Sequence, residues 1–363
     1  TKSFSDASGD ITIVTSVLPK MKDVRKGIKV PPYAIMRISV DDKSITKESY
    51  FGEKEFNGKP QHIVFKQTLD NGNIALIFAP AGGPGLKKKQ DKDPLNWRFV
   101  EIDALNASIK KSIPFKSLNS YWKINAIATH GDDLYIYGPA ENKKNSKYAN
   151  LLSGDKFTQF CMAQVTGDKM EWVENTSLDQ FAEKLQGPPG QKKTPEYRGK
   201  KFALGTFFIT QSGDILINGQ NQKVKEDGTV YKDIFAFHFG TNGKLKAQYG
   251  LDILETNKYA KATPTTSLFR ETQDKKSVAW IVLEVAGFKK NGKERPLMYS
   301  RIGEIDIEKA QLGEFKSIGY GKKEKNYLEP TFPILPTVVG GDKLTFFGSD
   351  KKGRNLWFCR VKL

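Results

Sequence analysis

The sequence predicts an all-β chain built from repeats of a small four-stranded antiparallel sheet. A turn of Gly, Asp or Asn followed by an alternating or apolar strand recurs six times, at intervals of about 60–65 residues with one near 80. A second apolar strand follows each copy after a polar loop, and further short strands separate the copies. Strands and turns repeated at this density are typical of β-propeller blades.

We call the strands of each repeat A to D, with the turn joining A to B. The first strands, B, lie at 9–14, 72–77, 131–138, 213–217, 276–281 and 341–348. The second strands, C, lie at 33–38, 97–102, 160–165, 234–239, 297–302 and 356–361. A strands precede the later repeats at 62–65, 122–127, 203–208, 266–269 and 332–336. The first blade is thus expected to lack its A strand, and the last to end at strand C.

One β-propeller domain over 1–363 is therefore expected, with about six four-stranded blades. A propeller pairs its first and last segments, because an open sheet edge invites association with other chains. Closure of this ring therefore needs residues upstream of Thr1, an unusual closure or a seventh blade supplied from elsewhere. One short helix is expected near 177–186, because Ser177 suits an N-cap and Leu178 and Phe181 share a face. The approximate blades are 1–52, 53–116, 117–176, 202–250, 260–320 and 328–363, with an insertion at 177–201.

Some repeats resemble those of the Kelch-type β-propellers. Residues 131–138 and 340–348 are similar to the Kelch glycine-plus-strand element. Residues 355–358 resemble the strand that follows it, and Trp172 resembles the tryptophan after that. The resemblance implies the fold and not an activity, because the family contains both enzymes and binding scaffolds.

Positive charge gathers in the loops between strands B and C. The chain has 58 Lys and Arg against 41 Asp and Glu, a net charge of +17. All six B–C loops are basic, and in a propeller these loops share one face. Such a face favours anionic partners. The candidate ligand-binding residues are Lys20, Lys22, Arg25, Lys87, Lys88, Lys89, Lys143, Lys144, Lys223, Lys225, Lys289, Lys290, Lys351, Lys352 and Arg354.

Catalytic and metal-binding signatures are absent from the sequence. Its three histidines are far apart, its two cysteines form no CxxC, and no nucleophile elbow, zinc-protease motif or P-loop is present. We expect no cofactor and no metal. Cys161 and Cys359 are expected to be buried, unpaired thiols on opposite blades. The acidic pairs Glu101–Asp103 and Asp132–Asp133 could act as catalytic carboxylates, although Asp after Gly is usual turn chemistry.

The sequence favours a non-catalytic propeller that binds an acidic glycan, a lipid head-group surface or an acidic protein. A glycan-active enzyme with carboxylates near the central channel and a structural subunit of a larger assembly are the alternatives. Nucleic acid is disfavoured because few aromatic residues are interleaved with the lysines. No apolar run reaches the length of a membrane span. The sequence begins without a methionine, and together with the fold this favours an extracytoplasmic location (secreted, periplasmic or surface-attached). The two free thiols argue against that location. The oligomeric state stays open.

Overall fold

The secondary structure is almost entirely β. The computed structural model describes residues 2–6, 8–17, 32–52, 54–56, 61–80, 97–119, 121–142, 157–199, 202–226, 228–254, 265–289, 295–319, 326–330, 334–335 and 343–362.

The first three sheets are antiparallel meanders of four consecutive strands. The first contains β1 (Lys2–Ser5), β2 (Ile11–Ser16), β3 (Tyr33–Ile38) and β4 (Ile45–Phe51). The second contains β5 (Gln61–Thr68), β6 (Ile74–Pro80), β7 (Trp97–Asp103) and β8 (Ser108–Phe115). The third contains β9 (Ala126–His130), β10 (Asp133–Asn142), β11 (Phe157–Thr166) and β12 (Lys169–Ser177).

A short helix and two further sheets follow. After helix α1 (Leu178–Glu183), the fourth sheet contains β13 (Leu185–Gln186), β14 (Phe202–Ile209), β15 (Ile215–Lys225), β16 (Gly228–Phe239) and β17 (Leu245–Leu251). Strands β14 to β17 form the meander, and β13 pairs in parallel with β17. The fifth sheet contains β18 (Thr266–Glu271), β19 (Ser277–Lys289), β20 (Arg295–Asp306), β21 (Gln311–Leu312), β22 (Lys316–Ile318), β23 (Asn326–Leu328), β24 (Ile334–Leu335), β25 (Lys343–Asp350) and β26 (Leu356–Lys362).

The fifth sheet combines two repeats. Strands β18 to β20 form one meander, with β21 and β22 along the outer side of β20, and β24 to β26 form the next. Strand β23 pairs with both β20 and β25 and so joins the two. The described residues thus contain six B and six C strands, and the predicted fold class is confirmed: all-β, propeller-type blades with one short helix.

Buried residues on both faces of the central strands explain why the sheets stack. Alternate residues of β6 point to opposite faces of its sheet. Ile74, Leu76 and Phe78 pack against the first sheet, whereas Ala75 and Ile77 pack toward the third. The chain divides into two compact units: Thr1–Ala140 with Cys161–Glu174 in one, and Asn175–Leu363 in the other, which also includes 141–142 and 157–160.

The A–B turns of the first, second and fourth sheets share one geometry. In the second sheet, the Leu69 amide donates to the Asn73 carbonyl at 2.8 Å and the Gly72 amide donates to the Leu69 carbonyl at 2.9 Å. Gly72 has φ of 81°, a left-handed conformation that glycine adopts without steric cost. Glycine therefore suits this turn position, although Lys275 adopts a φ of 60° in the A–B turn between β18 and β19.

Two sequence expectations about strands are wrong. The first blade does have an A strand, because Lys2–Ser5 pairs with β2 in antiparallel register from Lys2↔Val14 to Ser5↔Ile11. The third A strand starts at Ala126 and not at Trp122, which forms only an isolated bridge to Ala140. Lys2–Ser5 carries no apolar alternation, so only its pairing partner defines it as a strand.

The fourth and fifth B–C connections are also shorter than expected. Strands β15 and β16 pair as far as Lys225↔Gly228, and β19 and β20 pair as far as Lys289↔Arg295. In the fourth connection, the mainly polar residues 220–225 made the segment look like a loop. Lys223 and Lys225 therefore lie on a hairpin whose register shifts between Gln220 and Gln222, and Lys289 ends a strand.

Helix α1 has the predicted N-cap. The Ser177 hydroxyl accepts from the Gln180 amide, and the Gln180 side chain accepts from the Ser177 amide, which forms a capping box. Phe181 is fully buried and packs against Phe160, Tyr197 and Phe237, so the helix is anchored by an aromatic cluster within the second unit.

Both cysteines are free, as expected. Cys161 is buried, and burial raises the pKa of its thiol. Cys359 is only half-buried, which corrects the expectation that both are buried. Among the described residues, β11 lies between two strands of its sheet, whereas β26 pairs with β25 alone.

Candidate functional site

Part of the predicted basic surface lies within the described residues. Lys223, Lys351, Lys352 and Arg354 are exposed, and Lys225 and Lys289 lie at strand ends. The remaining candidates lie outside the described residues: Lys20, Lys22, Arg25, Lys87, Lys88, Lys89, Lys143, Lys144 and Lys290.

The cations of the last repeat occupy the turn between β25 and β26. The Asp350 amide donates to the Asn355 carbonyl and the Gly353 amide donates to the Asp350 carbonyl, both at 2.9 Å. The Asp350 carboxylate accepts from the Arg354 amide at 2.8 Å, which lowers the pKa of Asp350. The only carboxylate of the turn is thus committed to its backbone, and Lys351 and Arg354 project into solvent.

The two faces of this hairpin differ sharply. Leu344, Phe346, Trp357, Cys359 and Val361 point into the core of the second unit. The opposite side chains form what we call the outer face: Lys343, Phe347, Leu356, Phe358, Arg360 and Lys362.

Apolar and cationic groups are adjacent on the outer face. Leu356 is 66% exposed and Phe358 is 65% exposed. Arg360 and Lys362 follow them on the same side of β26, and Lys343 lies opposite Lys362 in the ladder. None of these three cations has an ion-pair partner among the described residues, so the outer face carries uncompensated positive charge beside exposed apolar surface.

Sequence analysis identified the turn cations but missed the outer face. The signal was present, because Leu356, Phe358, Arg360 and Lys362 occupy every second position of a predicted strand. Only the structure shows that these four side chains are all exposed.

The Asp of the A–B turn forms a recurrent polar contact with strand C. Asp10 accepts from the Arg37 guanidinium at 2.8 Å in the first sheet. Asp133 accepts from Gln164 at 2.8 Å and from Thr166 at 2.6 Å in the third. These contacts fix each turn to its sheet, a structural role.

The carboxylates of the other acidic pair, Glu101 and Asp103, also contact neighbouring protein groups. Glu101 is buried, accepts from Asn73 at 2.5 Å and lies 3.1 Å from the Lys110 ammonium. Asp103 accepts from the amide and side chain of Asn106 at 3.0 and 2.7 Å, which lowers its pKa. The two carboxylates therefore serve different partners.

A second kind of buried polar cluster occurs in the second unit. Asp214 lies 2.9 Å from the Lys246 ammonium and 3.7 Å from Nε2 of the fully buried His238. His238 Nδ1 and the Tyr249 hydroxyl are 3.0 Å apart. Burial opposes ionisation of Asp214, but His238 and Lys246 together hold its pKa below the usual range.

An ion pair between β19 and β20 was not foreseen. The Arg301 guanidinium contacts the Glu284 carboxylate, and both side chains are almost completely buried. Glu284 also accepts from the Tyr299 hydroxyl at 3.0 Å, and Arg301 donates to the Asp252 carbonyl at 2.7 Å. Glu284 interrupts an apolar run in the sequence, and this position was the signal that could have indicated a buried carboxylate.

One open groove lies in the first unit between β8 and β12. Its volume is about 490 Å³, and its walls combine Phe115, Met170 and Trp172 with Lys116 and Lys169.

The described residues contain no group of three or more His, Cys, Asp or Glu side chains placed to hold a metal ion. They also contain no helix long and apolar enough to cross a membrane.

Comparison with known proteins gives fold-level similarities alone. No family model and no curated protein matches the chain. A lignostilbene dioxygenase from Pseudomonas brassicacearum is 7% identical with a TM-score of 0.38, covering 99% of this chain and 68% of its own. An α-L-arabinanase from Penicillium chrysogenum is 9% identical with a TM-score of 0.33, covering 99% and 92%. A periplasmic gluconolactonase from Pseudomonas aeruginosa is 10% identical with a TM-score of 0.25, covering 92% and 93%. At these values the similarities assign no activity.

Proposed function

We propose that this chain is a non-catalytic binding protein that recognises an anionic macromolecule through its exposed basic side chains. The observation that supports the proposal is the last hairpin, which carries Lys351 and Arg354 at its turn and Arg360 and Lys362 toward the other end of β26. Clustered like charges raise the local potential and speed encounter with an opposite charge. The remaining B–C cations named from the sequence belong to the same proposal.

We include three finer assignments in this proposal. They are the Kelch-like character of the blades, the single-domain arrangement with its blade boundaries, and the extracytoplasmic location. The glycan-active enzyme and the structural subunit remain the alternatives. The described carboxylates singled out from the sequence bind structural partners, so they give the enzyme alternative no specific support.

The test is salt-dependent binding to immobilised heparin, to anionic vesicles and to polyglutamate. A charge-reversed variant, Lys351→Glu/Lys352→Glu/Arg354→Glu, is expected to elute at lower salt than the wild type, because exposed charges act over about 10 Å and are screened by salt. The matched control is Lys244→Glu/Lys276→Glu/Lys309→Glu, which reverses three exposed lysines at A–B and C–D turns of the same unit. These turns lie at the opposite ends of their strands.

Failure of the folded wild type to bind any of the three probes at low salt would sink the proposal. Equal losses in the two triple variants would show that net charge alone matters, with no binding face.

A further inference from the structure

The groove between β8 and β12 is a concave surface that the proposed function does not use. All of its lining residues belong to the first compact unit. Among the described residues, β8 is the last strand of the second sheet and β12 is the last strand of the third. None of the described B–C cations lines the groove. Its volume of about 490 Å³ lies within the range of about 300–1,000 Å³ that small-ligand pockets occupy.

Apolar side chains from both strands dominate the walls of the groove. Leu118 is 49% exposed at its rim, and Met170, Trp172 and Val173 are half-buried. Adjacent apolar side chains that stay partly exposed are typical of a ligand-binding surface. A ligand with an apolar body would therefore remove them from water.

The floor of the groove is part of the core of the first unit. Phe115 is buried in the core cluster shared by the second and third sheets, and Met170 and Val173 pack against that cluster. The Phe115 ring also contacts the rings of Trp97 and Trp122, with centroids 6.2 and 6.5 Å apart. Close-packed core side chains hold fixed rotamers, so the floor keeps its shape without a ligand.

Hydrogen bonds fix the groove at both ends. At one end, the Lys111 ammonium donates to the Gly167 carbonyl at 2.9 Å, which ties β8 to the turn before β12. Beyond the other end of β8, the Ser117 hydroxyl donates to the Asn119 carbonyl at 2.9 Å and accepts from the Asn119 amide at 3.2 Å. This turn holds the residues on either side of Ser117 beside the groove.

The charged groups of the groove favour an anion at one end. Lys169 pairs with Glu171 at 2.6 Å, so its charge is compensated. Asp168 lies at the end that Lys111 fixes, whereas Lys116 lies at the other end. Lys116 is exposed and has no ion-pair partner in the part of the chain that the structure describes. A negative group placed there would meet an uncompensated cation.

Two other classes of ligand fit the groove less well. A sugar would place hydroxyl groups against the apolar walls, where they lose hydrogen bonds to water without replacement. An extended peptide would need backbone donors along the edge of β8, and Pro114 of that strand has no N–H group. Aromatic rings suit the walls better, because they make favourable contacts with the Trp172 indole and the Met170 thioether.

We propose that the groove between β8 and β12 binds a small aromatic anion, whose rings lie against Met170 and Trp172 and whose negative group pairs with Lys116. This inference goes beyond the proposed function, because it assigns a small-molecule site that the B–C cations do not form. Burial of the rings would supply most of the affinity, and Lys116 would select for negative charge.

The experiment titrates the whole chain with 8-anilinonaphthalene-1-sulfonate, an aromatic anion whose fluorescence rises when it leaves water. N-phenyl-1-naphthylamine has the same rings without the sulfonate, and decanoate is an anion without rings. Decanoate is measured by displacement of the dye, and each titration is repeated with heparin. Hydrogen–deuterium exchange mass spectrometry locates the bound dye.

The dye is expected to bind the folded chain and to slow exchange in β8 and β12, with no displacement by heparin. N-phenyl-1-naphthylamine and decanoate should each bind at least about five-fold more weakly. Lys116→Glu should weaken dye binding by about five-fold, because an attractive charge becomes repulsive.

A second variant tests the apolar wall. Leu118→Glu should weaken dye binding by about ten-fold, because a charge replaces an apolar contact at the rim. The matched controls are Lys43→Glu and Leu105→Glu, which change exposed residues of the same unit outside the groove and should leave the affinity within about two-fold. All four substitutions are at exposed positions, so the folded state should be kept.

Equal dye affinities of the Lys116→Glu and Lys43→Glu variants, or equal binding of the neutral and anionic ring compounds, would overturn the role of Lys116. Tighter binding of decanoate than of the dye would overturn the preference for rings. Displacement of the dye by heparin, or protection confined to segments outside β8 and β12, would overturn the site. If heparin binds and the dye does not, the groove proposal fails while the proposed function survives, and the reverse result leaves the groove alone.

Discussion

Phe347 and Phe358 stack across the ladder between β25 and β26, with ring centroids 5.0 Å apart and an interplanar angle of 27°. Phe358 is nevertheless 65% exposed, whereas Phe346, the neighbour of Phe347 along β25, is fully buried. The alternation of side chains along a strand places Phe346 in the core and Phe347 on the opposite face. The same hairpin therefore stabilises the second unit with one face and presents the other to solvent.

Phe358→Ala is expected to lower the free energy of unfolding by no more than about 1.5 kcal/mol, the contribution of an aromatic pair beyond its buried area. Phe346→Ala should cost about 3–5 kcal/mol, because it leaves a cavity in the core. Urea denaturation of the two variants beside the wild type measures the difference. Equal losses would mean that the outer face is covered in the folded protein.

Arg301→Met is expected to destabilise the second unit by about 3–5 kcal/mol, because it leaves the buried Glu284 carboxylate without its cation. The matched control is Lys309→Met, which removes an exposed partner of Asp306 and should cost no more than about 1 kcal/mol. Adding Glu284→Gln to Arg301→Met should restore part of the loss. A double variant that is less stable than Arg301→Met would contradict this account.

The repeat was predictable from the sequence because its strands obey a local rule. A Gly with positive φ, an Asp or Asn at the turn and an apolar B strand recur together, and the C strand follows at a similar distance. Strand β1 was missed because Lys2–Ser5 has no apolar pattern of its own and is specified by pairing with β2. Residues 334–335 form the only described part of the predicted last A strand.

The site was less predictable because it depends on which side chains of β26 are exposed. Composition and loop position identified Lys351, Lys352 and Arg354 as candidates. The exposed face of β26 is defined by which of its side chains pack into the core, and that packing is set by tertiary structure. Buried Glu284 was missed for a related reason, since its partner Arg301 is 17 positions away on the next strand.

The two thiols should differ in reactivity. Cys161 is fully buried and burial raises the pKa of its thiol, so it should not react with Ellman's reagent in the native state. Cys359 is half-buried on an edge strand and is expected to react slowly. Cys359→Ser should abolish native labelling, and Cys161→Ser should leave it unchanged. Rapid labelling of Cys161 in the folded protein would contradict the burial of β11.

Asp6 should stabilise the first sheet in a pH-dependent way. The Ser8 hydroxyl at 2.6 Å and the Arg37 guanidinium at 2.7 Å lower the pKa of Asp6 from 3.8 to about 2. A carboxyl whose pKa is lower in the folded state binds protons more readily when unfolded, so its contribution is complete above about pH 4 and is lost as the pH falls toward about 2. Asp6→Asn should therefore be less stable than the wild type at neutral pH, and the difference in stability should shrink as the pH falls from about 4 toward about 2.

Urea midpoints at several pH values measure this difference. Asp42→Asn is the control, because the exposed Asp42 carboxylate has no partner among the described residues. A difference that stays constant down to about pH 2 would show that Asp6 acts through packing and not through its charge.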